Sequence, residues 1–405
     1  MGLRRAIFVA TCTFILASPM CARAQQSASV GIPRLIEDLR AIPVPSDPAA
    51  ADQVPPEARP VLQSLKKQLR DLIARSLETS VASDPSATLN VALQPQGLQV
   101  DPIEADHPAL AIQHYAQTVS IHLERPANNP NLLAVETSIG LACGDDSSLY
   151  VFARKGVSWR NLLSLESDSY DDLAGANGHL SFSISPPEHG GHWYAVVARM
   201  SPQCASPWRP MTYEILRPTH DPWHPDILLS GMETARWDHD LTLVTDLKTL
   251  QVHFIGSMHL ETVANQREHV LNFQLKGGRF LRVAPLAWGP EEFVDEWLDL
   301  NWESAASWSE RKSKDRLYAW HERLGGDRRN SYSSEVVSIM TCGSREMPRL
   351  WQVALALQPG PNSMALPSTA FVTVENTGRD IYYLQDITTQ PSPSCVAGGQ
   401  SEDTN

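Results

Sequence analysis

The densest group of hard oxygen donors is the run Asp168, Asp171 and Asp172, with Asp145 and Asp146 in a neighbouring stretch. Calcium takes several oxygens from loop carboxylates and carbonyls, so Ca2+ is the cofactor these aspartates would hold. The D-x-x-D-D spacing matches no EF-hand loop, and aspartates in turns commonly bond their own backbone. Two histidine pairs come next, His189-Gly-Gly-His192 and His220-Asp-Pro-Trp-His224 with Asp226. Imidazoles at such steps can share a transition metal; solvated loop histidines are the alternative. Ser64 and Lys67 form S-x-x-K, which acts as a nucleophile pair only beside a second lysine motif, and none is visible. The sequence has no G-x-S-x-G, H-E-x-x-H, P-loop or G-x-G-x-x-G. Glu292, Asp295, Glu296 and Asp299 share one helix face, the pattern of a solvated surface rather than of two carboxylates across a glycosidase cleft. A hydrolase would therefore draw on groups that converge only in space, with His253, His259, His269, Glu261 and Glu268 as the pool. Trp208 and Trp223 stand in proline-rich stretches and could form platforms for a glycan or peptide, whereas Trp193 alternates with strand residues and should be core.

These groups sit in an acidic chain that begins like an exported one. Arg4 and Arg5 precede an apolar run from Ala6 to Ala17, and Ala22-Arg23-Ala24 fits a cleavage site. The apolar run is too short to span a bilayer, no later stretch reads as a transmembrane helix, and Ser18-Pro19-Met20 is a poor lipobox before Cys21. Removal of residues 1–24 takes three arginines and no acids, which moves the net charge from −13 to −16. Such a chain repels phosphate backbones, so nucleic acid is excluded as a partner. Cys143, Cys204, Cys342 and Cys395 remain. An even number in an exported chain suggests disulfides, and the pairing Cys143–Cys204 with Cys342–Cys395 keeps each within one region.

The elements that must position these residues are mostly strands. Residues 25–80 read as a loose start, a short helix over Ile32–Ile42, a linker from Pro43 to Pro56, and an amphipathic helix from Glu57 to Thr79. In that helix Leu62, Leu65, Leu69, Leu72, Ile73 and Leu77 share one face, and Lys66, Lys67, Arg70 and Arg75 fall on the others. TLNVALQ and GLQVDPI suggest a hairpin around Gln94. Short strands separated by acidic or Gly-Pro turns run from Leu132 to Leu216, within a β-sandwich spanning 81–217. Pro218–Pro225 is a stiff connector to an α+β region over 226–390, with helices at Pro290–Leu300 and about Lys312–Leu324. Residues 391–405 read as a disordered tail. The expected fold is mainly β, a disulfide-stapled sandwich plus a C-terminal α+β domain. An irregular β-propeller is the alternative, because LYVFARKGVSW, VLNFQLKGGRF and FVTVENTGRDIYY look alike.

The stretch from Thr118 to Leu216 resembles the bacterial pre-peptidase C-terminal domain. The resemblance lies in Asp146-Ser-Ser-Leu-Tyr-Val-Phe152, Gly156, Glu166-Ser-Asp168, Leu180-Ser-Phe-Ser-Ile184, Trp193-Tyr-Ala-Val-Val197 and Tyr213-Glu-Ile-Leu216. It implies an accessory β-sandwich without catalytic residues of its own. The functional expectation is a non-catalytic binding or structural module of the periplasm or cell exterior, with a glycan or peptide partner. A secreted hydrolase and a scaffold self-associating through the Glu57–Thr79 helix are the alternatives. The sequence leaves the oligomeric state open.

Overall fold

A computed structural model describes residues 31–79, 84–101, 114–168, 170–188, 190–257, 260–261, 266–283, 287, 289–324, 333–343, 349–358, 368–378 and 381–397. The expected export segment over residues 1–24, His189, His259 and the Glu261 side chain lie outside the described residues. The chain opens with α1 (Ile32–Arg40), α2 (Pro48–Ala51), α3 (Ala58–Thr79) and α4 (Pro85–Leu93). The long helix forms where the apolar spacing places it: Leu62, Leu65, Leu69, Ile73 and Leu77 are all buried. They share a core with Leu35 and Leu39 of α1 and Leu89 and Leu93 of α4. Three expectations change here. The hairpin expected around Gln94 is instead α4, because Asp84 accepts a bond from the Ser86 N–H and Pro85 occupies the first turn, where a missing N–H costs nothing. The Pro43–Pro56 stretch is held rather than free, with Val54 fully buried, Pro43 bridged to His114 and Gln53 to Asp172. Lys66 lies on the buried side of α3, not on a solvated face.

A four-stranded antiparallel sheet follows: β1 (Val119–Glu124), β2 (Leu132–Leu141), β3 (Gly144–Lys155) and β4 (Ser158–Leu165). The chain turns only at Ala142 and Cys143, and Asp145 and Asp146 already lie in strand, paired with Gly140 and Ile139 of β2. Side chains alternate across the pleat. Leu133, Val135, Ile139, Tyr150 and Phe152 join the helical core. Leu132, Ala134, Leu149, Val151 and Leu163 face Leu180, Ile184, Trp193, Val197 and Leu216 of the second sheet. These two layers are the expected sandwich, and α3 closes its outer side, so the helical segment and sheet share one core rather than forming a separate N-terminal region.

The second sheet contains β5 (His179–Ile184), β6 (Ala195–Met200), β7 (Trp208–Arg217), β8 (Asp226–Arg236), β9 (Thr242–Thr245) and β10 (Thr249–Ser257). After β11 (Leu260–Glu261), which belongs to the third sheet, come β12 (Gln266–Lys276) and β13 (Arg279–Arg282). β7 and β8 pair along their length, from Arg217↔Asp226 to Trp208↔Arg236. The Pro218–Pro225 connector therefore links neighbouring strands, and a division between 217 and 226 would cut a continuous sheet. Proline stiffness marks a loop here, not a domain edge. The sheet curls until β9 approaches β5, and its inner face buries Tyr194, Val196, Met211, Tyr213, Leu250, Phe254, Phe273 and Phe280. Cys143–Cys204 staples the β2–β3 connection to the segment before β7.

The third sheet has the order β11, β14 (Ser333–Cys342), β15 (Leu350–Gln358), β16 (Thr369–Gly378), β17 (Ile381–Thr388), with β18 (Cys395–Ala397) also paired to β14. Helices α5 (Pro290–Asp299), α6 (Trp302–Ser307) and α7 (Lys314–Leu324) cover one face. Phe293, Val294, Trp297, Leu317 and Trp320 pack there against Val353, Leu355, Val372, Val374 and Leu384. The disordered tail expected over 391–405 is contradicted in its first part, since residues 391–397 are held by β18 and by Cys342–Cys395; residues 398–405 lie outside the described residues. The chain is mainly β with three sheets, and no propeller forms among the described residues.

Candidate functional site

Among the described residues, three clusters of ionisable side chains and a polar cleft are candidate places for chemistry or recognition. The first cluster joins α3 to the sandwich. Lys66 Nζ meets Asp146 Oδ2 at 2.9 Å, Ser167 Oγ at 2.8 Å and the Ser167 carbonyl at 2.9 Å. Ser167 Oγ donates its own hydrogen to Asp146 Oδ1 at 2.6 Å, and the Tyr170 hydroxyl donates to the same carboxylate. The serine hydrogen is thus spent on the aspartate, so all three lysine contacts must use lysine hydrogens. That is an ammonium with no lone pair for base work. Burial, with Asp146 beside it, pushes the Tyr170 hydroxyl well above its ordinary value. The nearby Ser64 bonds the Pro60 carbonyl and Lys67 pairs with Asp71, both at the surface, so S-x-x-K makes no pair.

The second cluster corrects the reading of α5 as a solvated acidic face. Asp295 is 0% exposed and Glu296 4%. Arg267 on β12 donates to Asp295 Oδ2 at 2.9 Å and to Glu296 Oε2 at 2.7 Å, and Arg282 on β13 donates to Glu296 Oε1. His269 Nδ1 lies 3.4 Å from Glu296. The period-two alternation of β12 puts Arg267 and His269 on the same face, and Phe273↔Arg282 pairing brings Arg282 to that face too. Gly256 permits it, because a Cβ there would stand 2.6 Å from the His269 ring. Burial alone would raise the Glu296 carboxyl, but His269, Arg282 and Arg267 together hold it well below the usual carboxylate range. A carboxylate clamped by two guanidiniums is a structural anchor, not a proton donor near neutrality. His253 Nδ1 lies 3.0 Å from Glu268 on the opposite face of the sheet.

The third cluster was not legible in the sequence. Glu136 on β2 stands opposite His122 on β1, with Glu124 on the same face. Burial is the main reason the Glu136 carboxyl is pushed up to about 7; Asp145 and Glu124 add to it and a bond with Ser147 opposes it. It is the described carboxyl best matched to acid–base work near neutrality.

The aspartates proposed for calcium do not converge. Asp171 pairs with Arg59, Asp172 caps a turn by accepting from the Gly175 N–H, and Asp168 is exposed. Among the described residues no group of three or more His, Cys, Asp or Glu is placed to hold a metal. His224 bonds Asp221 at 2.8 Å rather than sharing a site with His220. Both disulfides form as expected. Trp223 is 41% exposed and lies on the Arg70 guanidinium, 5.0 Å from ring centroid to Cζ. Arg70 is fixed in turn by Glu166, which accepts from Tyr150. Trp208 is half-buried over Arg236, and Trp159 and Trp193 are buried. The polar cleft, of about 590 Å³, lies on the third sheet and is lined by Gln352, Thr373, Asp386 and residues 388–392.

No family model matches the sequence, and no curated protein does. The solved structures compared below are weak likenesses. An α-L-arabinanase of Penicillium chrysogenum complexed with arabinobiose aligns at 7% identity and TM-score 0.25, over 70% of this chain and 66% of its own. An α-L-arabinofuranosidase of Fusarium graminearum in complex with an iminosugar inhibitor aligns at 8% identity and TM-score 0.24, over 68% and 63%. The chain therefore spans about two thirds of those enzymes, at scores that define no shared fold.

Proposed function

We propose that this is an exported, non-catalytic binding module that takes a glycan or peptide. The observation that supports it is that two buried ionic clusters satisfy their own groups internally. Ser167 gives its hydrogen to Asp146 instead of to a base, and Glu296 is clamped by Arg267 and Arg282. Two features open to solvent among the described residues suit recognition, the Arg70-backed Trp223 ring and the cleft on the third sheet. The test combines a glycan and peptide binding screen with an assay for released product on the same ligands. Binding without turnover is expected; turnover by the wild-type chain would sink the reading.

A secreted hydrolase is the second reading, and one observation favours it: a half-buried Glu136 carboxyl close to neutrality beside two further carboxylates. If it holds, Glu136→Gln abolishes turnover while leaving ligand affinity unchanged. The scaffold alternative loses its surface, because the apolar stripe of α3 is buried within the chain itself.

A further inference from the structure

The last described segment of the chain straps the third sheet. After β17 ends at Thr388, the backbone leaves the sheet edge, crosses the face away from the helices, and returns as β18 against the far side of β14. The crossing strap is fixed at both ends and in the middle. Cys395 is disulfide-bonded to Cys342 and the Gly343 N–H donates to the Ser394 carbonyl. The Ser392 N–H donates to Gln352 Oε1 at 3.0 Å. Between strap and sheet lies the cleft of about 590 Å³, within the size range of small-ligand sites.

Its floor is built by lateral register. Gln352, Thr373 and Asp386 stand side by side on β15, β16 and β17. They alternate with Val353, Val372 and Val374, which face the helices, so the first two point away from the apolar core. Gln352 is 1% exposed, and its amide donates to Thr373 Oγ1 at 3.2 Å while accepting from the strap. Both amide ends are therefore fixed, and the Thr373 hydroxyl, used there as an acceptor, keeps its hydrogen to donate. Residues 388–392 add the Thr389 hydroxyl, the Gln390 amide and the ring of Pro391, together with the Thr388 hydroxyl, which donates to the Gln390 carbonyl, and the Ser392 hydroxyl, which bonds Ser394 Oγ. Charge is balanced: Asp386, the lining carboxylate, is paired with Arg316 of α7 at 2.7 Å.

We infer that this strapped cleft binds a neutral, polyhydroxylated ligand, a short uncharged oligosaccharide. This rests on the reading of the chain as a binding module. Hydroxyls and amides both donate and accept, which matches vicinal sugar hydroxyls. An anionic ligand would meet Asp386, and a cationic one would have to displace Arg316. A peptide needs a free strand edge or pockets for alternate side chains. The floor here is instead the face of strands paired on both sides, apart from β17, whose outer edge bonds Trp308 and Glu310.

The experiment is calorimetric titration of the disulfide-bonded full chain, less residues 1–24. The probes are neutral cello-, xylo-, arabino- and malto-oligosaccharides, and neutral peptides of similar length. Released reducing ends are measured on the same samples. At least one oligosaccharide is expected to bind. Thr389→Ala on the exposed wall should weaken it about tenfold or more without lowering Tm; Thr373→Val on the floor should weaken it as much while also costing some stability, because it takes the acceptor from the buried Gln352 amide. Val91→Ala, exposed on α4 and outside the cleft lining, should leave binding unchanged. Three outcomes overturn the inference: no sugar binding at millimolar concentration, binding of peptides only, or binding lost in Trp223→Ala but kept in Thr373→Val. Release of reducing ends would instead sink the non-catalytic reading and leave the cleft assignment standing if the Thr373 effect persists.

Discussion

Lys66 shows how far a residue's meaning depends on what it meets. By spacing it is one of several cations on an amphipathic helix; in the fold it is the positive end of a buried pair with Asp146. Removing one member of such a pair leaves an uncompensated buried charge, at a cost of about 3–5 kcal/mol, whereas replacing both by apolar groups is far milder. Lys66→Met and Asp146→Leu should each lower stability by that amount, and the double variant should be clearly less destabilised than their sum in urea unfolding. Glu136 makes the opposite electrostatic case. Its folded carboxyl is raised from 4.5 to about 7, so the folded state holds its proton more tightly than the unfolded chain. The contribution is fully present below about pH 4.5 and is lost as pH rises through about 7, up to about 3 kcal/mol. Glu136→Gln should flatten that part of the stability profile, and an unchanged profile would remove Glu136 as the titrating group.

The elements form for reasons of different range. α3 needs only its apolar spacing, and its stripe is buried on two sides by α1 and α4 and on a third by the first sheet. Leu69 is fully buried at the centre of that core, and Leu69→Ala should cost about 2–5 kcal/mol by thermal or urea unfolding. α4 depends on its start signal. The Asp84 cap bonds the Ser86 N–H at 2.9 Å, and Asp84→Ala should cost about 1 kcal/mol, with α4 amides exchanging faster than those of α3. The misread hairpin around Gln94 has the same lesson in reverse: Leu89 and Leu93 stand four apart, and a capped Asp-Pro start turns alternation into one helical face.

At the scale of the whole molecule, the Arg267–Asp295–Glu296–Arg282 network is one bond between the curled second sheet and the helices of the third, beside the Arg282–Trp308 contact and the β11–β14 pairing. Because Glu296 titrates well below its ordinary range in the folded state, its contribution is present above about pH 4.5 and is lost as pH falls towards the folded value. Stability should thus decline on the acid side through Glu296 and on the neutral side through Glu136, giving a maximum in mildly acidic solution. Glu296→Gln leaves Arg282 without its carboxylate and weakens the hold on Arg267. It should cost about 3–5 kcal/mol and separate unfolding of the third sheet from that of the sandwich, seen as two transitions in calorimetry. A single transition at unchanged Tm would show that the network does not couple the sheets.

Period and punctuation were enough for much of this fold. The α3 stripe, most strands from Leu132 to Leu216, the α5 apolar face and the cysteine pairing could all be read, because each depends on neighbours a few residues apart or on four cysteines in two local pairs. Charge could not be read in the same way. The acids on α5 have an identical pattern whether they face water or two arginines, and those arginines come from strands about 14 to 29 residues away. The loop aspartates likewise look like a calcium site until Arg59, 112 residues upstream of Asp171, claims one of them. The cleft needs three strands in register and a strap anchored by Cys395. A residue's partners across sheets and layers are set by packing, and packing is a property of the folded chain alone.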